Sequence, residues 1–420
     1  MRMKLPMPAF AAAILVAAGS APPRAAAPPS PWPAAARQLR DHRTLARAAA
    51  DFPSSSQLQR GLLGAALEAK DSAEAIDALD RLAGMGATLS QPSRDLLAPL
   101  VGAAAMRRLA PLFDANAASR GESRVFATVP ATDQLIEGLA WNARRQELYA
   151  TSVHDRMLFR LERPGGAVPL TSVQPGGLFG ITFDARRGAF WIAASVAGGF
   201  QGGAGGFNGV IRIDAATGRL RRIAAPAGAG EGIGDIAVAR DGTVYASDGM
   251  TGGVFRCLPP CARLEAYVPA GTFFSAQGMV LSPDQTKLYI ANYRDGLAMI
   301  DRTTGRVEQI TASSPMMLDG IDGLVGFGGD LIAIQNGVRP ARIVRLRLSR
   351  DGGRVERLDV LERANPAWGE PSLGTIAGSK LLYVSDSQWE RFEDGKQTSP
   401  ARPTPIRELS LERGVTRARR

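Results

Sequence analysis

Histidine and cysteine are almost absent from this chain, with two of each among 420 residues. His42 and His154 lie far apart, so a zinc site of the H-E-x-x-H kind is excluded. No G-x-S-x-G elbow offers a nucleophilic serine. The cysteines, Cys257 and Cys261 in CLPPC, have neither C-x-x-C spacing nor a surrounding βαβ unit, which sets aside a thioredoxin-like role. They read as a local disulfide clip or as two plain thiols. Aromatic residues make up only 6% of the chain and are not interleaved with its scattered Lys and Arg. The net charge of +10 therefore forms no stripe of the kind that binds nucleic-acid strands. It reads as solubility or weak attraction to anionic surfaces, and no nucleic-acid partner is expected. GAGEGIG (Gly228 to Gly234) leads into a strand where a dinucleotide fingerprint needs a helix.

Long apolar runs are also missing. Arg2 and Lys4 precede an apolar run from Ala9 to Ala18 and the small residues Gly19, Ser20 and Ala21, the pattern of an export signal over residues 1–27. The run is too short to span a bilayer. Pro22 and Pro28 blur the cut site, so a cleaved signal and an uncleaved anchor both fit. No transmembrane segment is expected in the mature chain, and its expected location is periplasmic or secreted.

Residues 28–36 continue a Pro/Ala linker, extended by its composition. Residues 37–120 are rich in Ala, Leu and Arg and read as α-helical hairpins. Leu58, Leu62, Leu63 and Ala66 recur at helical spacing, as do Ile76, Leu79 and Leu82. Asp71 followed by Glu74 resembles a capping box, Gly84 and Gly86 are stop signals, and Pro92 opens a further helix carrying Leu96, Leu97 and Leu100. His42 falls in the first of these helices.

From 121 to 410 the hydrophobic period becomes two, and one phrase recurs. Ser275 to Tyr293 shows it best: an apolar strand, a Ser-Pro-Asp turn, then an alternating strand ending on Asn292. Six copies begin at Glu137, Phe179, Gly234, Gln277, Asp322 and Pro371. Repeats of roughly forty to fifty residues, each of four short strands, predict a mainly β fold, a six-bladed β-propeller behind a short α-helical N-terminal domain. Residues 411–420 form a basic tail with Arg417, Arg419 and Arg420.

The phrase also predicts a site. In a propeller the innermost strand of each blade lines the central channel, so the six starting positions face the channel mouth. The second strands return there, ending on Ser152, Ser195, Asp248, Asn292, Gln335 and Asp386. A ring of carboxylates and amides suits a hard cation such as calcium, and equally suits bound water. Gly198 to Gly209, GGFQGGAGGFNG, reads as a rim loop or lid, or as an excursion without a role.

The phrases IEGLAW with LYATS, GDIAVARDGTVYASD, QGMVLSPDQTKLYIAN and IDGLVGFGGDLIAI resemble those of the family of senescence marker protein (regucalcin) and gluconolactonases. Paraoxonases and strictosidine synthase are more distant members. The resemblance covers about Val125 to Phe392. It implies a divalent metal, calcium foremost, held by Glu137, by Asp322 and by Gln277, which stands where the family has an asparagine. Gly234 replaces a second asparagine, while Asp235 after it is retained. The implied activity is metal-assisted opening of a lactone or related ester, with Asp235, His154 or Asp248 as the group that activates water. Asn292, Gln335 and Asp386 would line the rim around a small-molecule substrate. The alternative is a non-catalytic propeller that binds a ligand, or a protein partner through the helical extension.

Overall fold

The computed structural model describes residues 42–132, 135–172, 176–196, 206–226 and 229–412. The export signal, the Pro/Ala linker, most of the Gly-rich loop and the basic tail lie outside them. Four helices, α1 (His42–Asp51), α2 (Ser56–Ala69), α3 (Ser72–Gly84) and α4 (Gln91–Ala117), precede six small antiparallel sheets arranged as a propeller. Blade one pairs Ile136–Asn142, Glu147–Ser152, Met157–Leu161 and Ala167–Ser172 in order from the channel outwards. Blades two, three and four start from the inner strands Gly177–Asp184, Ile233–Val238 and Ala276–Leu281. Blade five starts from Ile321–Phe327 and carries a fifth strand, Thr311–Ala312, parallel to its outer edge. Blade six is closed from both ends of the propeller. Its three C-terminal strands, Gly374–Ala377, Lys380–Val384 and Thr404–Ser410, are completed by Arg124–Val129. That pairing leaves no open edge where the ring closes.

Turn chemistry explains the repeat. In blades two and four an aspartate at the end of the third strand caps the next turn. Asp214 accepts from Thr217 N at 2.9 Å and Thr217 Oγ1 at 2.8 Å, and Asp301 accepts from Thr304 N at 2.8 Å and Thr304 Oγ1 at 2.9 Å. Asp284 does similar work in the Ser-Pro-Asp turn, receiving Ser282 Oγ at 2.6 Å. Each carboxylate satisfies backbone or hydroxyl donors that the chain reversal would otherwise leave unpaired. Cys257 and Cys261 form a disulfide just after the third strand of blade three.

The helices follow the sequence signals closely. Asp71 caps α3 by accepting from Glu74 N at 3.0 Å, Ser90 caps α4 two residues before Pro92, and Gly86 adopts positive φ beyond α3. His42 sits at the start of α1 and pairs with Glu74. Helix α4 is long and apolar enough to cross a membrane by length and composition, unlike anything expected from the sequence after residue 27. It reaches that length because two helical segments run together across Gly102, whose backbone is not helical. Leu97, Val101, Leu109 and Phe113 bury one side of it in the helical core.

That core does not stop at the helices. Phe52, Leu58 and Leu82 share one buried cluster with Val268, Phe273, Ile290, Met317 and Val338 of the propeller. The join is also polar and specific. At the start of α2, Ser56 Oγ and Gln57 N both donate to Asp319 Oδ2 at 2.9 Å, and the capping Ser55 Oγ donates to Arg294 O at 2.7 Å. Leu318 N donates to Ser54 O at 2.9 Å, and Thr88 N to Arg339 O at 3.0 Å. Residues 294, 319 and 339 lie in loops at the mouth end of blades four and five, so the helical layer sits on the mouth face. A buried carboxylate at a helix N-terminus serves two amide or hydroxyl donors and complements the helix dipole. Asp319→Ala leaves those donors unpaired, and the expected cost is about 2 kcal/mol. Urea unfolding measures it, with earlier proteolytic cleavage at the α1–α2 junction as a second readout.

Candidate functional site

The channel mouth is shaped by a defect shared by the inner strands. In blades one to five the pairing between first and second strand slips, between Ile136 and Leu139, Leu178 and Ile181, Ile233 and Asp235, Ala276 and Met279, and Ile321 and Gly323. Glu137, Phe179, Gly234, Gln277 and Asp322 all lie inside these bulges. A bulge re-aims the side chain it carries and releases it from the regular pleat. The glycine that follows in four blades has a separate cause. A Cβ on Gly138 would stand 2.5 Å from Phe179 O, one on Gly278 2.6 Å from Asp322 O, and one on Gly323 2.8 Å from Ser372 O. Each inner strand thus presses its bulge against the backbone of the next, and only glycine fits there.

Glu137 and Asp322 arrive at the mouth as the sequence predicts. Glu137 is buried, and Trp389 Nε1 donates to its Oε2 at 3.0 Å. Asn336 Nδ2 donates to Asp322 Oδ2 at 2.8 Å, and Tyr293 OH donates to Asn336 Oδ1 at 2.9 Å. Burial first, and then the charge of Asp322, raises the Glu137 pKa well above the usual carboxylate range. Burial pushes Asp322 up to about 6 against the Asn336 bond. Glu370, just ahead of the sixth repeat, is pushed up to about 7 by burial and by Asp322, with Arg339 opposing. Three carboxyl groups therefore share one poorly solvated space.

Asp235 belongs to the wall of the channel. It lines a cavity of ≈ 260 Å³ together with Leu139, Ile181, Met279, Leu324 and Leu373. Its Oδ2 accepts from Met279 N of blade four at 2.9 Å, and a Cβ on Gly180 of blade two would meet its Oδ1 at 2.4 Å. Burial raises its pKa to about 7, against the bonds from Met279 and Ile236 and with a smaller push from Asp322.

The remaining predicted residues are each held by particular partners. Gln277 Nε2 donates to Ser275 Oγ at 2.8 Å, just ahead of its own strand, and would lie 3.0 Å from a Cβ on Gly249 of blade three. His154 stands on the rim with Nδ1 2.7 Å from Asp155 Oδ1, its ring 5.3 Å from that of Phe392. Asp248 is fully buried and its Oδ1 accepts from Met250 N and Thr251 N, closing the turn after its strand. Asn292 is likewise committed, accepting from Phe274 N at 3.0 Å and donating to Asp295. Gln335 holds the carbonyls of Met317 and Asp319 and receives Arg342 Nε. Asp386 pairs with Arg402 at 3.1 Å. Among the described residues no three His, Cys, Asp or Glu side chains form a metal-sized cluster. A set made of Glu137, Gln277 and Asp322 holds two such groups and an amide.

Several members of the site were not foreseen. Trp389 lies in the excursion between the second and third strands of blade six, and its ring stacks on Phe179 at 6.1 Å and 22°. Asn336 and Glu370 are each one residue outside the positions picked by the repeat. The repeat spacing reaches neighbouring positions of the same rim, so widening it by one residue would have found both.

Neither a protein-family model nor a curated protein matches this chain. Among solved structures it is similar to a gluconolactonase from Xanthomonas campestris, at 19% identity over 70% of this chain and 92% of that one, with a TM-score of 0.47. It is also similar to virginiamycin B lyase from Staphylococcus aureus (14% identity, 63% and 82% covered, TM-score 0.47) and to PQQ-bound aldose sugar dehydrogenase from Streptomyces coelicolor (17%, 70% and 99%, TM-score 0.48). A second structure described as a putative gluconolactonase is similar at 18% identity over 69% of this chain and 93% of that one, with a TM-score of 0.45. At such identities the likeness is one of fold, and a fold shared by a lactonase, a lyase and a dehydrogenase does not name a reaction.

The buried carboxyls make a prediction about pH. A carboxyl whose folded pKa is raised binds its proton more tightly in the native chain than in the unfolded one. Its contribution to stability is therefore lost as pH rises from about 4, the unfolded value, to about 7, the folded value for Asp235 and Glu370. Melting temperature is expected to fall across that window and to level above it. Asp235→Asn, which cannot ionise, is expected to show a shallower fall.

Proposed function

We propose that this chain is an exported, gluconolactonase-like propeller that binds a divalent cation at its channel mouth and opens a lactone or related ester. The observation that carries the reading is the burial of Glu137, Asp322 and Glu370 within reach of the Asp322 charge, with Arg339 opposing the rise at Glu370. Carboxylates buried within reach of one another's charge favour a bound cation, because its charge offsets both their desolvation and their mutual repulsion. Glu137, Asp322 and the amide oxygen of Gln277 would hold it, and oxygen donors of this kind suit calcium. When bound, such an ion supplies a Lewis acid for a substrate carbonyl.

The other roles fall to the protein. Asp235, with a pKa near 7, can hold or give up a proton at physiological pH. His154, held by Asp155 at the rim, is the second candidate for that task. Asp248 suits it less, because it is fully buried and its Oδ1 already serves turn amides. Trp389 and Phe179 form an apolar wall that would orient a small substrate and exclude water. Export is supported by the Cys257–Cys261 disulfide, a bond typical of oxidising compartments.

A binding propeller without catalysis is the second reading. It is favoured by Trp389, which already occupies one oxygen of Glu137. Thermal melting in EDTA, then in calcium, magnesium, manganese or zinc, tests the metal. A cation at one hundred times its Kd is expected to stabilise the fold by about 2.7 kcal/mol. The gain is expected to vanish in the double variant Glu137→Gln, Asp322→Asn. Hydrolysis of aldonolactones by the metal-loaded chain separates the readings: turnover that disappears in Asp235→Asn supports the enzyme, and cation binding without turnover supports the binding module. No shift with any ion would sink the metal site.

A further inference from the structure

The outer halves of blades five and six enclose a second cavity, of ≈ 710 Å³. It lies toward the end of the propeller opposite the mouth, because Arg342 opens its strand at the mouth and Leu348 ends it at the far side. Arg120, Arg124, Arg345, Arg347, Arg357 and Lys380 line it. The lining carboxylates are Glu122, Asp359 and Glu408, and Asp330 lies just outside as the partner of Arg345. Cations thus outnumber carboxylates by six to four even when Asp330 is included.

The manner of pairing matters more than the count. Arg347 and Arg357 both donate to Asp359 through Nε, at 2.9 Å and 2.6 Å, so one carboxylate serves two guanidinium groups. Glu408 likewise receives both Arg124 Nε and Lys380 Nζ. Arg345 meets Asp330 through Nε alone, at 2.6 Å. Among the described residues the pair of Nη groups of each of these four arginines, the edge that grips oxyanions two-pronged, has no carboxylate partner, and the Arg345 guanidinium also lies over the Phe327 ring at 5.4 Å. The side chains are ordered by their Nε bonds yet keep that edge for something else. Arg345 has only 17% of its side chain exposed, so at least one fork lies inside a partly desolvated cleft where charge-assisted bonds are strongest.

We infer that this cleft is a binding site for a ligand bearing two or more oxyanion groups, held by the free forks of Arg124, Arg345, Arg347 and Arg357. Among the described residues no aromatic side chain lines it, so they offer none of the stacking platform that strand-binding proteins use for bases. Its concave shape suits a compact polyanion. The chemistry is shared by phosphoryl groups and by clustered carboxylates. The site is separate from the channel mouth, and it stands or falls independently of the reaction proposed there.

Titration calorimetry on the full chain tests it, with pyrophosphate and citrate as separate probes at fixed ionic strength. Saturable binding of either is expected, and it is expected to weaken by about tenfold in Arg124→Gln, Arg357→Gln, a loss of two charge-assisted forks. Those two residues are the most exposed of the four, with side chains 76% and 65% exposed, so the variant is expected to keep its melting temperature. Arg124→Lys, Arg357→Lys keeps the charge and removes the forks, and comparable weakening there assigns recognition to the guanidinium edge. Pyrophosphate alone binding would identify a phosphoryl ligand, and citrate alone a carboxylate one. No saturable binding of either probe, or equal binding by wild type and both variants, would overturn the proposal.

Discussion

Inner strands that converge on one axis must approach each other more closely than strands of an ordinary sheet, and the rest of this structure follows from how that crowding is relieved. The relief is a bulge near the mouth end of the inner strands of blades one to five, with glycine after the bulged residue in four of them. At Gly138 the space a side chain would need is taken by Phe179 O and by Thr151 Oγ1, which also accepts from Gly138 N at 3.0 Å. At Asp235 the neighbouring second strand does the same work, as Ser247 Oγ accepts from Asp235 N at 3.2 Å. The backbone groups that a bulge removes from the ladder are thus satisfied by hydroxyls one strand away. What remains free is the side chain, and in blades one and five that side chain is an acid.

A fold that collects acids at its axis keeps them at a cost. Burial raises Glu137, Asp322, Glu370 and Asp235, and the charge of Asp322 adds to the rise of the other three, while the indole of Trp389 and the amide of Asn336 offset only part of it. An arrangement that lowers stability without a packing gain is characteristic of functional sites. The outer cleft between blades five and six shows the opposite balance. There cations exceed carboxylates, and their exposure keeps the cost small. One ring of sheets thus presents an acidic mouth at one end and a basic cleft toward the other.

The mouth is also the end that the additional segments cover. The helical layer is fixed to blades four and five by Asp319, Arg294 and Arg339, and its core is continuous with that of the propeller. The blade-six excursion brings Trp389 over Glu137, and Phe392 beside His154. Neither segment belongs to the six-fold repeat. Both pack against the mouth, whereas the bulged strands supply the carboxylates inside it.

The class of fold was legible in the sequence, because a period-two pattern with turn residues at regular intervals, repeated six times, buries its apolar faces by stacking the copies around a ring. The sequence also determined Glu137 and Asp322, since both occupy the same place in the repeat and the repeat faces the axis. Local caps such as Asp71 and Ser90 were legible for a similar reason: their partners lie three residues away. Which rim residues stay available depends on packing between distant segments. Asn292 and Gln335 look like candidate ligands in the sequence, yet their polar atoms hold loops 18 residues away along the chain. Trp389 and Glu137 are separated by 252 residues, and no periodicity links them. The docking of Ser56 on Asp319 is equally remote in sequence. Contacts of that kind are set by how whole blades and helices pack, which a repeat of forty to fifty residues does not encode.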